Sequence, residues 1–580
     1  MGHKQTACAG FILPVVVSCI LVVAVMAGGM LSYIAYATRV SGVYTTRSGC
    51  RFAAQSALDL TTARVRDAFR RYYRDYPKTW SVLTWFDTYS AQSLGSSGYS
   101  CPMMQGELLG GCTVSVTVQS VEKSDVSAVY QYANVTLQAT ATQKSPAGVV
   151  VAKTIEETVE FGMRRSSVFD HAYFVNNYGW FQGTGCTANG NIRSNGDMYL
   201  DSYSYINGNA FAAPNSELSA AGHITVSGGG STRHLSIGDY WASAGTWARP
   251  TTPTSSDAAD TWAMGYDGSS SLYMYQQTLE MPYLGDLSGY REVAANTGGT
   301  IKQNGKVLVN NYYSGVGPSG STSYPDAGCL VLDGTSKPIE ISGAVVVQGD
   351  VVIKGTVTGQ GVIYAGRNIH IVGDVKYKNP PSWSKPDTNP DNTINKNSAA
   401  DLLGLCAKGN IVLGNYTDSS WLSACSQYIT PPFVDSYTCD ATDASIGYGT
   451  TFSGDYTAKD SGKKVTYTLK SGKYVASGTT DRKYYESTMG DQVIKTYAQS
   501  TAISEIDAVL YNNHAIMGKV GQCLFNGAFV CRNEGCIYST SVCFNWDSRL
   551  GSRSPDGMDF FIYLPMSIAD PRVVSWREVI

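Results

Sequence analysis

Charge is scarce in this sequence. Charged residues make up 15% of its 580 residues and the net charge is −3, which gives no support to nucleic-acid binding, because that function needs a strongly basic surface. The six histidines are scattered, the H-E-x-x-H, G-x-S-x-G and Walker motifs are missing, and no G-x-G-x-x-G run leads from a strand into a helix. His514 and Asp547 are candidates for an acid–base pair, but a lone histidine in a β-rich wall is more often structural. We therefore predict no enzyme activity, no catalytic residue and no cofactor.

Metal-binding patterns are absent as well. None of the 14 cysteines belongs to a C-x-x-C pair, and no cysteine pair precedes a histidine pair at zinc spacing. The stretch from Asp387 to Asp391 imitates the start of a calcium loop, but Asn392 and Ser398 stand where such a loop requires Gly and Glu. We interpret this stretch as a polar loop and predict no metal site.

Long apolar runs are missing except for one, from Phe11 to Tyr36, with no charge between Lys4 and Arg39. About twenty apolar residues cross a bilayer as a helix, and only a helix satisfies its own backbone groups there. We predict a transmembrane helix over residues 11–37, which leaves the rest of the chain on one side of the membrane. A removed signal peptide and a buried core helix are the alternatives.

Two features of the sequence give opposite indications of the side of the membrane on which the C-terminal part lies. Arg39, Arg47 and Arg51 follow the apolar run, so the positive-inside count puts the C-terminal part in the cytoplasm. Twelve dispersed cysteines also lie beyond the run, and their even number favours disulfides outside the cytoplasm. Buried free thiols are the alternative to disulfides.

A second helical pattern follows over residues 38–78. Small or apolar residues recur there every three or four positions, which is typical of one buried helix face. These residues are Ala54, Ala57, Leu58, Thr61, Val65, Ala68, Phe69 and Tyr72. Pro77 ends the pattern. The arginines between Arg64 and Arg74 are expected to form a solvated face paired with Asp59, Asp67 and Asp75.

The remaining chain is predicted to be β. From Cys112 the sequence alternates at period two, which predicts an antiparallel strand layer within residues 79–165, with Cys101 and Cys112 bracketing its entry. Residues 166–580 alternate short apolar strands with Gly-Asn and Gly-Asp steps, which favours a parallel β-helix over a β-sandwich. Loop excursions are expected at 378–401 and 425–500. The predicted fold class is mainly β, with an N-terminal transmembrane or pilin-like α-helix, an antiparallel strand layer and a β-helix-like body.

Three stretches resemble a known family. Ala9 to Pro14, AGFILP, resembles a type IV prepilin junction, in which Gly10 and Phe11 flank the cut of a prepilin peptidase and residues 1–10 form the leader. Residues 51–58, RFAAQSAL, are similar to PilX-type N-terminal domains, and residues 511–550 resemble the closing coils of large PilX-type proteins. Val15 departs from the pattern, because most pilins carry Glu there, although minor pilins often lack it.

The resemblance implies a non-enzymatic minor or tip component of a type IV pilus or a type II secretion-like filament. Its partners would be the membrane, pilin-like subunits and the prepilin peptidase, without nucleic acid. It would be a single-pass protein of the bacterial inner membrane, with its body in the periplasm or outside the cell. The alternative is a membrane-anchored β-helix protein that binds or cleaves polysaccharide, for which surface glycans are the candidate partners.

The cysteine positions also predict disulfides. Cys523, Cys531, Cys536 and Cys543 fall within a short stretch of strand and turn, and we expect at least one disulfide among them. A second disulfide is expected to join Cys101 to Cys112 and to close a short loop. Each would contribute about 2–4 kcal/mol of stability.

Cleavage after Gly10 predicts that the mature protein begins at Phe11, with or without N-methylation. Mass spectrometry of the N-terminus from native membranes tests this, because leader removal changes the mass of the first peptide. A chain that still begins at Met1 in cells with active prepilin peptidase would contradict the pilin interpretation. A cut near Gly29 would indicate secretion instead.

Overall fold

A computed structural model describes most of the chain. The described residues are 12–75, 82–96, 98–124, 131–181, 186–201, 204–216, 220–227, 236–237, 272–284, 287–323, 326–383, 387–425, 456–460, 463–470, 473–477, 487, 489–532, 534–539, 541–551 and 562–579. The predicted junction residues Gly10 and Phe11 lie outside them. The described part is mostly β, with one long apolar helix at its N-terminal end.

That helix, α1 (Ile12–Asp75), runs without interruption through both predicted helical patterns. Its 64 residues reach about 96 Å at 1.5 Å per residue. It is described as far as Asp75, and Pro77, where the sequence predicted its end, lies outside the described residues.

An antiparallel sheet follows the helix. The short strands β1 (Tyr89–Ser90), β2 (Ser93–Leu94) and β3 (Cys101–Pro102) come first and form a small antiparallel sheet of their own. The larger sheet contains β4 (Gln105–Leu109), β5 (Cys112–Lys123), β6 (Gln131–Lys144) and β7 (Val150–Arg165). β4, β5, β6 and β7 pair in that order, each antiparallel to its neighbour. Buried and half-buried side chains alternate along β6, which matches the period-two pattern of the sequence.

Most of the strands lie in the second part of the chain. The first are β8 (Tyr173–Val175), β9 (Gly179–Phe181), β10 (Cys186–Asn189), β11 (Ile192–Ser194), β12 (Met198–Asp201), β13 (Tyr205–Asn207), β14 (Ala210–Phe211), β15 (Pro214–Asn215), β16 (Ala220–Ala221), β17 (Ile224–Ser227), β18 (Ser236–Ile237), β19 (Leu272–Tyr273), β20 (Thr300–Gln303), β21 (Lys306–Asn310) and β22 (Tyr312–Tyr313).

The longer strands come later in the chain. They are β23 (Leu330–Val347), β24 (Val351–Ala365), β25 (Ile369–Tyr377), β26 (Leu402–Ala407), β27 (Ile411–Leu413), β28 (Tyr456–Asp460), β29 (Lys463–Lys470), β30 (Lys473–Ser477), β31 (Glu505–Asn512), β32 (Ala515–Lys519), β33 (Gln522–Cys531), β34 (Glu534–Tyr538) and β35 (Ser541–Trp546). Four helices are interspersed: α2 (Ser288–Thr297), α3 (Pro390–Asn397), α4 (Ser419–Cys425) and α5 (Asp491–Tyr497).

Most of these strands stack in parallel to form the body, here meaning β8 to β35. β15 pairs with β16, and β28 to β30 pair with one another, in small antiparallel sheets of their own. β23, β24, β26, β31 and β33 succeed one another in parallel register. β8 pairs with β33, and β11, β14 and β19 continue the stack beyond it. β20 pairs antiparallel with β23 at the other end. Parallel stacking is thus present as predicted.

The order of this stack differs from the order of the sequence. The chain enters at β8, in the middle, and winds outward to β19. It then returns to the opposite end at β20 to β23 and winds back until β33 meets β8 and β35 meets β10. Entry and exit of the body therefore lie side by side.

Residues 276–284, here called the strap, belong to the segment in which the chain returns from β19 at one end of the stack to β20 at the other. Asn195 donates to the carbonyl of Leu279 at 2.6 Å and accepts from its backbone N–H at 2.9 Å. Asn513 does the same for Leu284, at 2.7 and 2.8 Å. Each side-chain amide thus replaces a strand partner, so these backbone groups of the strap are satisfied without joining a sheet.

The last two strands leave the body. β36 (Met566–Ile568) and β37 (Arg572–Val579) both pair antiparallel with β7. The sequence analysis placed this segment in the body, but its strands complete the N-terminal sheet. They reach it because the body ends beside its own beginning, where the backbone N–H of Ser166 donates to the carbonyl of Pro565 at 3.1 Å.

A row of buried amides crosses the stack inside the body. Asn207 donates to Asn189, which donates to Asn545 at 2.6 Å. Asn545 donates to Asn526 and Asn526 donates to Asp507, each at 2.7 Å. Asn189 and Asn207 are 18 residues apart in the sequence, and Asp507, Asn526 and Asn545 follow one another at intervals of 19 residues. Each interval is the length of one turn of the stack. We call these five residues the amide ladder.

Glycine follows three members of the ladder. A Cβ atom on Gly208 would lie 2.5 Å from the carbonyl oxygen of Gly190, and one on Gly527 would lie 2.4 Å from that of Ala508. Gly527 also has a φ of +141°, a conformation that other residues rarely adopt. These Asn-Gly steps of the sequence therefore mark points where successive turns approach closely.

The carboxyl group at the end of the ladder makes stability depend on pH. Burial, with a smaller contribution from the charge of Glu505, raises the pKa of Asp507 to about 7, although the Tyr377 N–H and Asn526 donate to the carboxyl. The folded state then binds this proton more tightly than the unfolded state. We expect the contribution of Asp507 to folding to fall as pH rises from about 4 to about 7, by on the order of 4 kcal/mol.

Denaturant unfolding of wild type and D507N across pH 3–8 measures this effect. The free energy of unfolding of D507N, relative to wild type, should improve as pH rises through that interval, because Asn cannot ionise. E122Q, which removes an exposed carboxyl on β5, should show no such trend. A constant difference between D507N and wild type at every pH would show that Asp507 titrates normally.

Candidate anchoring and assembly site

The first half of α1 lies clear of the remaining structure. Side chains 13–39 are all exposed, and none of the most apolar window of the helix, with a mean hydropathy of 2.5, is buried. Among the described residues it is the one helix long and apolar enough to cross a membrane. So large an apolar surface is not stable in water. Lipid or other apolar helices are needed to cover it.

The second half of α1 packs against β5, β6 and β7. Seven of the eight residues predicted for its buried face are buried, and Tyr72 is half-buried, with Tyr73 taking the buried position beside it. Ala53, Ala54 and Ala57 bring the helix backbone close to the sheet because they are small. One continuous helix therefore has an apolar free half and a small-residue face that is covered by the sheet.

Arginines of α1 reach acids on other elements. Arg70 lies 3.9 Å from Glu280 of the strap and 3.6 Å from Asp570, and Arg64 lies 3.6 Å from Glu107 of β4. The predicted pairing with acids of the helix itself occurs at Arg66, which lies 3.6 Å from its neighbour Asp67. These pairs are at least a third exposed, so each adds little stability. They orient the helix on its neighbours.

The C-terminal strand also contacts α1. The indole N–H of Trp576 donates to Gln55 at 2.6 Å, and the Arg51 guanidinium lies 5.6 Å from the centre of the same ring. Glu578 lies 3.9 Å from Arg51 and forms an ion pair with Lys153 of β7. The last residues of the chain therefore attach to the helix next to the point where it leaves the sheet. The sequence showed no local signal for this contact.

Two of the cysteines predicted to pair lie near the packed half of α1. Cys101 is in β3 and Cys112 begins β5, and both are buried. Neither carries a disulfide in the structure. Their bond stays a prediction.

The other four predicted cysteines lie on the last strands of the body. Cys523 and Cys531 are both in β33, about 26 Å apart at 3.3 Å per residue. Cys543 of β35 pairs with the residue after Cys523, so these two side chains point to opposite faces. The backbone of Cys536 lies in β34. The disulfide expected within this group stays a prediction.

The two candidates for acid–base chemistry have separate partners. His514 Nδ1 lies 2.6 Å from the Asn410 side-chain oxygen, and burial lowers the pKa of His514 to about 3. Asp547 accepts four hydrogen bonds from the buried Arg549 guanidinium and backbone. Arg549 in turn donates to carbonyls of the 378–401 excursion, including that of Asp401 at 2.9 Å. These contacts fit structural roles for both residues.

The calcium-like stretch caps a helix. The Asn389 side chain accepts from the backbone N–H of Asp391 at the start of α3, and Asp387 accepts from the N–H of Asn389 at 3.0 Å. Lys396 lies 3.7 Å from the Asp387 carboxylate. Such contacts satisfy the free N–H groups at a helix start and agree with the polar-loop interpretation.

Comparison with known proteins adds little. No protein family matches the sequence, and no curated protein matches it. One solved structure, the competence-associated pilin ComZ from Thermus thermophilus, aligns over 92% of this chain and 98% of its own, at 11% identity and a TM-score of 0.27. At that score the superposition is too poor to support any conclusion on fold or function.

Overfilling the helix–sheet contact should destabilise the fold. Ala57 is fully buried against the sheet, so A57L forces side chains or backbone apart and should cost about 1–3 kcal/mol. S56L is the matched control, because Ser56 on the same helix is exposed. Denaturant unfolding of the full chain in detergent measures both. Equal losses for the two variants would contradict the packing described for this face.

Proposed function

We propose that this protein is a non-enzymatic, pilin-like surface protein, anchored by the first half of α1. In this proposal the helix crosses the bacterial inner membrane once, or joins the apolar core of a filament after a prepilin peptidase has removed residues 1–10. The sheet and the body lie in the periplasm or outside the cell. The PilX-type resemblance of the N-terminal sequence supports this orientation.

One observation carries the proposal, namely the change of environment along α1. Its first half exposes an apolar surface that needs a cover, and its second half is covered by the chain's own antiparallel sheet. A cleaved signal peptide does not explain why the helix continues without a break into the folded part. A core helix does not explain the exposed half. A membrane or filament anchor explains both.

The body fits a β-helix that projects from this anchor. Its parallel pairings repeat along the stack, and apolar residues of successive strands fill one internal core, among them Val345, Ile363 and Leu405. The core of the helix and sheet continues onto an outer face of the same body, including Val346 and Tyr364. The body is thus attached along a packed surface.

The alternative, binding of polysaccharide, rests on an exposed aromatic pair. Trp180 of β9 is 57% exposed and stacks on Tyr199 of β12, with ring centres 4.5 Å apart. A flat apolar ring of this kind matches the face of a sugar ring. This function is compatible with the anchor, since a filament component can also bind glycans.

Val15 favours a position at the end of a filament. In most pilins a Glu at this position is thought to pair with the amine of a neighbouring subunit within the apolar core. Val15 offers no such partner, and a buried unpaired ammonium is costly. The large body would also crowd its copies around a thin fibre. Both arguments predict one or a few copies per filament.

Antibody labelling of sheared filaments, with quantitative peptide counting, tests this position. Labelling should be confined to filament tips. The copy number of this protein should be far below that of the major subunit. V15E should increase incorporation because it restores the carboxylate, whereas V16E places the same charge at a neighbouring position and should not. Regular wild-type labelling along the filament would contradict the proposal, and absence from filaments would favour a solitary membrane-anchored form.

A further inference from the structure

Two thiols meet where α1 first becomes covered by the sheet. Cys50 of α1 and Cys112 of β5 are both fully buried, and their sulfur atoms are 3.8 Å apart. They are 62 residues apart in the sequence. Neither was expected to meet the other, because the sequence analysis paired Cys112 with Cys101.

The surroundings fix both side chains. The Cys50 thiol lies 3.6 Å from the carbonyl oxygen of Val151 in β7, and the Cys112 thiol lies 3.6 Å from the side-chain oxygen of Gln143 in β6. A disulfide needs its sulfurs about 2.05 Å apart. The present distance of 3.8 Å is that of two sulfurs in contact, so bond formation requires them to approach by about 1.8 Å.

We propose that Cys50 and Cys112 form a disulfide in the mature protein, which fastens the anchoring helix to the sheet. A structural zinc site needs four protein ligands. Among the described residues no group of three or more metal-ligating side chains occurs, so we do not interpret the two thiols as part of a zinc site. The inference rests on the proposed function, which places the sheet in a compartment where disulfides persist.

The bond requires a disulfide donor, such as a thiol–disulfide oxidoreductase or a small-molecule disulfide. The thiolate of one cysteine attacks the donor, whose sulfur–sulfur bond breaks and releases one thiol. The second cysteine attacks the mixed disulfide and releases the other thiol. In total, two cysteine thiols lose two protons and two electrons, and one donor disulfide becomes two thiols.

Burial implies that the bond forms during folding. Burial, together with contact with Cys112, raises the pKa of the Cys50 thiol to about 11, so the folded, reduced pair contains little thiolate for the attack. Oxidation before the helix closes onto the sheet avoids this barrier. Once formed, the buried bond is reached by reductants when the helix opens from the sheet, as it does on heating.

Peptide mapping of the native protein tests the bond. Membranes are quenched in acid, free thiols are blocked with N-ethylmaleimide, and the chain is digested without reduction. Trypsin alone leaves Cys101 and Cys112 in one peptide, residues 79–123, so a second protease that cuts after Glu107 is needed. We expect the peptide of residues 48–51 to be linked to the one that contains Cys112.

Single variants separate this bond from its rival. C101S should keep the link between Cys50 and Cys112, whereas C50S should leave Cys112 open to the blocking reagent after denaturation. Reductant should lower the unfolding temperature of the full chain in detergent by about 3–4 °C for wild type and C101S. The corresponding shift for C50S should be clearly smaller.

The native map decides the proposal even if a variant fails to fold. A link between Cys101 and Cys112, or a blocked Cys50 in the native protein, overturns it. The N-terminus of the same sample tests the proposed function separately. A blocked Cys50 in a chain that begins at Phe11 removes the disulfide alone, and a linked Cys50 in a chain that begins at Met1 removes the processed anchor alone.

Discussion

The fold depends on a single helix whose two halves lie in different surroundings. The first half of α1 exposes branched apolar side chains, which suit lipid or other helices, and the second half presents alanines to a sheet. Burial of the second half against long strands stabilises the whole helix, because an isolated helix gains little from its own hydrogen bonds in water. The strands β5 to β7 are correspondingly long. The sheet is therefore the element that joins the anchor to the body.

The position of the sheet also explains the unusual order in which the strands of the body are stacked. A stack wound simply from one end to the other would release the chain far from where it entered. Here the chain enters in the middle and returns to the same place, so β36 and β37 can pair with β7. Contacts of Trp576 and Glu578 then attach the C-terminal end to α1. The anchor is held by segments from both ends of the sequence.

Local patterns in the sequence predicted the elements but not their partners. The helix face, the period-two strands and the parallel stacking follow from residue spacing, and the buried positions from Ala54 to Phe69 were correct because a helix face repeats regularly. The order of the stack, the return of β37 and the contact of Cys50 with Cys112 join residues 62 or more positions apart. No periodicity encodes such pairings. The arginines of α1 show the same limit of prediction from local patterns, because acidic partners of Arg70 lie on the strap and on the C-terminal segment.

The amide ladder shows how such a stack avoids slipping. Branched apolar residues fill the core of the body at many equivalent positions, so burial alone tolerates several registers. An asparagine side chain both donates and accepts, and each member can therefore pass a hydrogen bond to the next turn. Asp507 carries no donor when ionised and accepts from Asn526, which ends the row. A register shift would leave several buried amides unsatisfied, at a cost of roughly 1–3 kcal/mol each. The polar row, more than the apolar core, selects one alignment of the turns.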